Sequence, residues 1–402
     1  MRSHVFKFII FTLVFLLFSC NRFKVKTLTY IELNDSIKNI YAPDGRVALY
    51  NLSFKPNVKY LMLGGESDQP KAVTILKQKL DELGIPYLDS ISILPENSVG
   101  VFKHAVVNNS VANIRSEPRH SAELATQVIL GTGLKILKNN GDFYLAQAPD
   151  GYISWVDHGG VVLMNDRDYS IWSGSEKIIY TNPVGSVYNI KNNETDILSD
   201  IVLGAQLKLL HTGAGYYKVE FPDKRVGFIN SDEAEIYKDW VQNVQPSGEL
   251  IEKYAREFLG SPYLWGGTSP KGMDCSGFTK TVYLMNGFII PRDASQQINA
   301  GLDIDKDLSF KDLEKGDLMF FGTKAKADKK QRVTHVGIWL GNEKSEFIHS
   351  ASRVRLSSID PSSEYYDEAN AKRYLGSRRY LGNPDELITN LKVDKVLTDI
   401  KP

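Results

Sequence analysis

Short apolar runs separated by turn residues dominate the middle of the chain. Between residues 106 and 165 the runs are Val128–Leu130, Leu134–Leu137, Phe143–Ala146 and Ile153–Val156. A weaker series between residues 178 and 240 comprises Val187–Ile190, Ile201–Leu203, Leu207–Leu210, Tyr216–Val219 and Val226–Ile229. Strands this short and this evenly spaced are typical of small barrels. The pattern therefore predicts two small all-β barrels in tandem, and the second is either a binding module or a spacer.

Helical periodicity is found on both sides of the barrels. Lys71–Leu83 carries apolar residues at helical spacing and ends at Gly84, which predicts a helix within an α/β segment over residues 20–105. We assign no chemistry to that segment. After the barrels, Ser247 is placed to cap a helix that runs through Phe258. A further amphipathic helix is predicted at Phe278–Met285.

The N-terminus resembles a secretory signal. Basic residues precede an apolar run from Phe8 to Phe18, and Ser19 and Cys20 follow it. The run is shorter than the roughly 20 apolar residues that a transmembrane helix needs. Residues 17–20 also resemble a bacterial lipoprotein box, which implies removal of residues 1–19 and lipidation of Cys20. We therefore expect a cell-envelope lipoprotein that is anchored in the membrane through Cys20 and faces the periplasm. The alternative is a plain secreted protein.

Composition narrows the class of protein. Lys plus Arg and Asp plus Glu each number 48 in 402 residues, so the formal charge is zero and no nucleic-acid partner is expected. A chain of this length suggests several domains, and we expect a monomer. The two cysteines are Cys20 and Cys275. If Cys20 is lipidated, Cys275 has no disulfide partner and is either a buried small hydrophobe or a reactive nucleophile.

The sequence around Cys275 favours the nucleophile. A loop rich in glycine and proline, residues 263–274, leads into Cys275 and the helix predicted behind it. A cysteine at a helix N-terminus lies beside unsatisfied backbone N–H groups. These groups favour the thiolate and can donate to an oxyanion during acyl transfer.

Two histidines of the C-terminal region are candidates for the base. His335 begins a strand-like run and His349 ends the next one. Adjacent antiparallel strands can bring the imidazoles together, so that one accepts the thiol proton and the other orients it. The alternative for His349 is a strand-end residue without a catalytic role. Two histidines and one cysteine lack the spacing of zinc motifs, so we expect no metal and no cofactor.

Five ordered motifs within residues 247–383 resemble the NlpC/P60 family of cell-wall cysteine peptidases. They are Pro262–Gly267, Asp274–Phe278, Ile290–Gln296, Gly316–Phe321 and His335–Gly341. The two series of short strands, with landmarks at Ala112–Pro118 and Gly151–Val156, resemble bacterial SH3 (SH3b) domains. The resemblance implies a multidomain chain with SH3-like barrels at residues 106–165 and 178–240. An α+β fold like the catalytic core of papain would follow at residues 247–383, and a tail at residues 384–402. The resemblance to the NlpC/P60 family also implies a catalytic triad of Cys275, His335 and His349.

The order of these domains resembles a subgroup, the γ-D-glutamyl-L-diamino acid endopeptidases. The resemblance implies hydrolysis of the bond between D-glutamate and the diamino acid in murein stem peptides, with a preference for a free N-terminal L-alanine. The residues that would line the site for this end are Tyr263, Trp265, Asp274, Ser276 and, from the first barrel, Glu117 and Tyr152. A buried ammonium needs a carboxylate, which agrees with Asp274 beside the nucleophile. The expected partner is a murein tripeptide or muropeptide.

Other interpretations stay open at this point. Glu117 can instead be a solvated turn residue, Tyr152 can pack in its barrel, and Trp265 can pack the loop. The whole protein can also be a wall-binding lipoprotein with vestigial catalysis, or a hydrolase of intact peptidoglycan. Either diaminopimelate or lysine can be the third residue of the stem.

Overall fold

The computed structural model describes residues 29–191 and 195–393. It divides into two compact units, Met1–Asn97 and Ser98–Pro402. The predicted signal at residues 1–19 and Cys20 lie outside the described residues, as do residues 394–402 of the predicted tail. Within the part of the chain that is described, no helix has the length and apolar character needed to cross a membrane.

The first unit is a small α/β structure, as predicted. Its elements are α1 (residues 29–41), β1 (Tyr50–Pro56), β2 (Leu61–Ser67), α2 (Pro70–Glu82), β3 (Tyr87–Asp89) and β4 (Ser92–Ile93). Strand β2 pairs antiparallel with β1 and parallel with β3 and β4. Helix α2 begins at a proline, which fits the first helical position, and it buries Leu76 and Leu80 completely.

The second unit begins with the first barrel. Its strands are β5 (His104–Val107), β6 (Val111–Arg115), β7 (Leu124–Ile129), β8 (Gly133–Asn140), β9 (Phe143–Gln147), β10 (Ile153–Asp157) and β11 (Val161–Met164). They lie in the order β11-β5-β8-β9-β10-β6-β7. Alternating residues such as Ile114, Leu134 and Val156 fill its core, so the apolar periodicity is realised as expected. Strand β5 begins two residues before the boundary drawn at residue 106.

The second barrel follows helix α3 (Asp166–Gly174). Its strands are β12 (Lys177–Tyr180), β13 (Val184–Tyr188), β14 (Ile197–Val202), β15 (Gln206–Gly213), β16 (Tyr216–Glu220), β17 (Val226–Asn230) and β18 (Ala234–Ile236). They lie in the order β14-β13-β17-β16-β15-β12-β18. Val187, Leu207 and Val219 are fully buried inside it. Helix α4 (Tyr237–Asn243) then leads to the last domain.

The last part of the chain is an α+β domain. Its helices are α5 (Gly248–Glu257), α6 (Cys275–Leu284), α7 (Ala294–Gln297) and α8 (Glu368–Lys372). Its strands are β19 (Thr268–Ser269), β20 (Gly272–Met273), β21 (Phe288–Ile289), β22 (Leu302–Ile304), β23 (Leu318–Thr323), β24 (Arg332–Trp339), β25 (Glu346–Ala351), β26 (Arg353–Ser358), β27 (Tyr374–Arg379) and β28 (Thr389–Asn390). The main sheet has the order β22-β27-β23-β24-β25-β26.

Helices α5 and α6 pack together in the core of this domain. Ser247 accepts a hydrogen bond from the backbone N–H of Leu250, so it caps α5 as predicted. The rings of Phe258 and Phe278 meet edge to face, with centroids 6.3 Å apart. Ile338 and Ile348, which face each other on β24 and β25, belong to the same buried cluster. This packing holds the start of α6 close to strands β24 and β25.

Part of the predicted tail packs on the α+β domain. Strand β28 pairs antiparallel with β21, through Thr389 and Ile289. The flanking residues Ile388 and Leu391 are buried. Both side chains belong to the hydrophobic core of the α+β domain. The domain therefore extends to Leu391, beyond the boundary predicted at residue 383.

Candidate active site

Cys275 is the first residue of α6, as the sequence predicted. We call residues 263–274 the cysteine loop, and its last residue, Asp274, is the N-cap of the helix. The carboxylate of Asp274 accepts the backbone N–H of Gly277 at 2.7 Å and that of Gly266 at 2.9 Å. The cap thus ties the loop to the helix that begins at Cys275.

The resting thiol of Cys275 is neutral. The side chain is 7% exposed, and this burial raises the pKa of the thiol to about 12, with the charge of Asp274 acting in the same direction. Backbone N–H groups of Val336 and Ser276 act in the opposite direction but are outweighed. The backbone donors at the helix start favour the thiolate, as predicted, but burial disfavours the anion more strongly.

His335 and His349 lie side by side on neighbouring antiparallel strands, as predicted. Nε2 of His335 and Nδ1 of His349 are 2.7 Å apart, and the rings are inclined by 75°. Burial lowers the pKa of His335 to about 4, and Arg373 reinforces the effect. Burial and the neighbouring His335 also lower the pKa of His349 well below its usual value. Both imidazoles are thus neutral near pH 7, and Nδ1 of His335 remains available to accept a proton.

The histidine pair continues into two residues that sequence reasoning missed. Nε2 of His349 lies 3.0 Å from the hydroxyl of Ser357, and that hydroxyl lies 3.4 Å from Oδ2 of Asp367. His349 is fully buried between His335 and Ser357, which fits the orienting role better than a strand-end role. Alternation along β26 does not indicate that Ser357 faces inward, because Arg353 and Arg355 at the same parity are exposed. No pattern in the sequence pairs Ser357 with His349.

Arg292 was also missed by sequence reasoning, although this residue lies inside the Ile290–Gln296 motif. Its guanidinium is 1% exposed and donates to both oxygens of Asp274, at 3.0 and 2.7 Å. It also donates to the hydroxyl of Ser276 at 3.0 Å and to that of Thr126 at 2.8 Å. Because Thr126 belongs to β7, Arg292 joins the first barrel to both neighbours of the nucleophile. Asp274 therefore has its charge balanced within the protein, a feature that the predicted ammonium site did not include.

The first barrel packs along the cysteine loop. The indole N–H of Trp265 donates to Glu123 at 2.6 Å, although the Trp265 side chain stays largely exposed. Gln127 accepts the backbone N–H of Thr268 at 3.0 Å, and its carbonyl accepts the Thr268 hydroxyl at the same distance. These contacts hold the first barrel against the loop that leads to Cys275.

The remaining predicted residues lie at different distances from the chemistry. Burial, and then the charges of Cys275 and Asp274, raise the pKa of Tyr263, so its phenol lies near the nucleophile. Burial acts to lower the pKa of the Arg292 guanidinium, but the charge of Asp274 raises it more strongly. Tyr152 also contributes to raising this pKa, so its phenol lies near the same cluster. Glu117 is exposed and pairs with Arg119 of its own turn. Glu123 rather than Glu117 is the barrel carboxylate in contact with the cysteine loop.

The titratable residues do not suggest a metal site. Across residues 29–191 and 195–393, no group of three or more His, Cys, Asp and Glu side chains is arranged to hold a metal ion. The ring nitrogens of His349 contact His335 and Ser357, an arrangement that can supply a base and an orienting partner.

Comparison with known proteins assigns this arrangement to a family. Residues 260–379 match the NlpC/P60 family, and residues 114–160 match the bacterial dipeptidyl-peptidase SH3 domain. A probable endopeptidase of Haemophilus influenzae is 31% identical over 143 residues, which cover 35% of this chain and 83% of that protein. The chain belongs to the NlpC/P60 family. The predicted fold class, two SH3-like barrels followed by an α+β papain-like domain of this family, is confirmed.

Two longer matches extend this likeness over the barrels. A γ-D-glutamyl-L-lysine dipeptidyl-peptidase of Bacillus cereus is 29% identical over 276 residues, which cover 64% of this chain and 76% of that protein. The crystal structure of an NlpC/P60 family protein from Bacillus cereus superimposes with a TM-score of 0.59 at 24% identity. That superposition covers 69% of this chain and 99% of the other, so the fold is shared well beyond the NlpC/P60 domain.

Proposed function

We propose that this protein is a cysteine endopeptidase that cleaves the γ-D-glutamyl–L-diamino acid bond of murein stem peptides. The observation that carries the proposal is the buried chain from His335 through His349 to Ser357. The thiol of Cys275, at the start of α6, is close to the backbone N–H of Val336, the residue after His335. The name of the Bacillus cereus relative, a γ-D-glutamyl-L-lysine dipeptidyl-peptidase, supports the choice of bond. We propose further that lipidation at Cys20 holds the enzyme in the cell envelope.

Catalysis would proceed through a thioester. As Sγ of Cys275 attacks the γ-carbonyl carbon, the thiol proton moves to Nδ1 of His335 and the carbonyl electron pair moves to oxygen. Backbone N–H groups at the start of α6, which have no partner within the helix, donate to this oxyanion. The tetrahedral intermediate expels the amine of the diamino acid, which takes the proton from His335. Water, deprotonated by His335, then cleaves the thioester and restores the thiol.

A free N-terminal amine would be selected by the surroundings of Asp274. The contacts of Thr126, Gln127 and Glu123 with the α+β domain support a cleft that is closed on the side of the first barrel. Such a cleft excludes a stem that is still joined to glycan. We propose that the ammonium group binds near Tyr263, Asp274 and Ser276, with Tyr152 and either Glu117 or Glu123 contributing from the barrel.

The test compares cleavage of L-Ala-γ-D-Glu-diaminopimelate by the wild type and by Cys275→Ala. We expect the variant to release no diaminopimelate, because the nucleophile is gone, while its far-UV spectrum and melting temperature stay close to those of the wild type. Substrate with an acetylated N-terminus serves as the control for amine selection and should be cleaved poorly. Cleavage by Cys275→Ala at the wild-type rate would refute the mechanism, whereas equal rates on both substrates would refute only the amine site.

The same assay addresses the two other functions that the sequence left open. A vestigial enzyme would leave every soluble stem peptide intact. A hydrolase of intact peptidoglycan would release peptides from purified sacculi as fast as from free stems. The lysine-containing tripeptide, assayed beside the diaminopimelate form, identifies the preferred diamino acid.

A further inference from the structure

The histidine pair ends in a buried serine and a carboxylate. Ser357 is 2% exposed on β26, and its hydroxyl is placed between Nε2 of His349 and Oδ2 of Asp367, at 3.0 and 3.4 Å. Asp367 precedes α8 and caps it by accepting the backbone N–H of Asn370. The carboxylate is therefore held in place by the helix that it caps, with one oxygen directed towards Ser357.

The direction of the hydrogen bonds along this chain follows from Asp367. An ionised carboxylate only accepts hydrogen bonds, so the Ser357 hydroxyl donates to it. The oxygen of Ser357 is then an acceptor for His349, whose Nε2 carries the proton. A neutral imidazole has one N–H, so Nδ1 of His349 is unprotonated and accepts a hydrogen bond from Nε2–H of His335. Because His335 carries its proton on Nε2, its Nδ1 is also unprotonated.

We propose that Ser357 and Asp367 are positioning residues that set the tautomers of both histidines, so that His335 presents an unprotonated Nδ1 to the thiol of Cys275. If Ser357 donated to His349 instead, each proton in the chain would sit on the opposite nitrogen. His335 would then carry its proton on Nδ1 and could not accept the one from Cys275. The proposal rests on the proposed function only in using His335 as the base.

The first measurement reads the tautomers directly and needs no substrate. Nitrogen-15 chemical shifts of the histidine side chains, with long-range proton–nitrogen correlations at pH 7, distinguish Nδ1–H from Nε2–H. We expect both His335 and His349 of the wild type, assigned through His335→Gln and His349→Gln, to be Nε2–H tautomers. In Ser357→Ala and in Asp367→Asn, we expect His349 to become a mixture of tautomers or to switch to Nδ1–H.

The second measurement is the split between kcat and KM. Changing the residue that directly holds the tautomer of a catalytic histidine can lower kcat by up to about 10⁴-fold. Ser357 contacts His349 rather than His335, so its effect on the base is indirect. We therefore expect Ser357→Ala to lower kcat roughly tenfold or more, with KM unchanged. Ser357→Thr keeps the hydroxyl and should keep most of the activity. Ser358→Ala is the matched control, because Ser358 is an equally buried serine on the same strand that donates to the carbonyl of Lys344, away from the histidines.

The outcomes separate this proposal from the proposed function. A wild-type His349 in the Nδ1–H form would overturn the assignment of tautomers. Unchanged tautomers in both Ser357→Ala and Asp367→Asn, or equal losses of kcat in Ser357→Ala and Ser358→Ala, would reduce Ser357 to a packing role. If the wild type failed to cleave γ-D-glutamyl peptides, the proposed substrate would be wrong. The tautomer measurement would still decide whether Ser357 and Asp367 set the tautomers of the histidines.

Discussion

Burial has opposite effects on the pKa values of Cys275 and His335, the proposed nucleophile and base. It raises the pKa of the thiol to about 12 and lowers the pKa of the imidazole to about 4, because each charged form loses hydration. The side chains that face the histidines are Arg355 from β26, Arg373 before β27, Asp367 before α8 and Asp274 at α6; the arginines disfavour an imidazolium and the carboxylates favour it. Both shifts favour the neutral forms of the thiol and the imidazole near pH 7.

The buried histidines should make stability depend on pH. The pKa of His335 is about 4 in the folded protein and 6.5 as its ordinary value, so the unfolded chain binds more protons between these limits. The stabilisation is fully present above pH 6.5 and is lost as pH falls through about 4. The shift is worth roughly 3 kcal/mol at one pKa unit per 1.36 kcal/mol, and His349 acts in the same direction.

Urea unfolding between pH 4 and 8 measures this dependence. We expect the free energy of unfolding of the wild type to fall steeply below pH 6.5, and that of His335→Gln to fall less over the same window. The exposed His120 offers a control, since His120→Gln should follow the wild-type curve. If His335→Gln followed it too, His335 would not be held neutral by burial.

Among the elements, the short stretch that carries Arg292 joins β7 of the first barrel to the start of α6. Arg292 donates to Thr126 on one side and to Asp274 on the other. A bidentate pair between buried partners is specific in geometry and costly to break on one side. Through this pair, the N-cap that orients Cys275 is coupled to a strand of another domain.

Removal of the guanidinium should destabilise the protein strongly. Arg292→Met leaves the carboxylate of Asp274 buried without its cationic partner, and we expect a loss of roughly 3–5 kcal/mol in the free energy of unfolding. The double variant Asp274→Asn, Arg292→Met removes both charges and should recover part of that loss. Arg256→Met, which breaks an exposed pair with Glu252 on α5, should cost less than about 1 kcal/mol. A double variant as unstable as Arg292→Met would show that the unpaired charge is not the cause.

Periodicity and motif order predicted the elements, but they did not predict contacts between elements distant in sequence. The apolar runs became strands of the two barrels, and His335 and His349 came together as expected. Trp265 and Glu123, by contrast, are 142 residues apart, and no local pattern encodes such a partner. The same applies to Ser357 beside His349, where a buried hydroxyl is selected by packing rather than by periodicity. The neutral thiol was also missed, because burial is a property of the folded domain.

At the scale of the whole second unit, both barrels contact the cysteine loop. Lys271 of the loop contacts Asp200 of the second barrel and donates to Ser110 of the first barrel at 2.9 Å. Ser110 in turn donates to Asp200 at 2.8 Å. The second barrel therefore contacts the loop directly, and all three domains meet at Lys271.

The first barrel and the loop approach each other tightly at Gly266. Gly266 has a φ of +79°, and a Cβ built there would lie 2.2 Å from the carbonyl oxygen of Leu124, at the start of β7. An alanine would have to move the barrel or the loop, which also carries the Thr268 bonds to Gln127. Because the loop leads to Asp274 and Cys275, such a shift would disturb the position of Cys275 and open the proposed cleft on the side of the first barrel.

We therefore expect Gly266→Ala to lower kcat/KM for the free-amine tripeptide on the order of tenfold to a hundredfold, as a misplacement of about 1 Å can do. Discrimination against the N-acetylated tripeptide should fall as well, because the barrel no longer closes the cleft. Gly260→Ala is the control, since Gly260 has a similar φ of +87° but open space around its Cβ position. It should share only the backbone strain of about 1–2 kcal/mol. Equal kinetics for the two variants would show that strain, rather than the contact between barrel and loop, determines the effect, and the first barrel would then have no part in selecting the substrate.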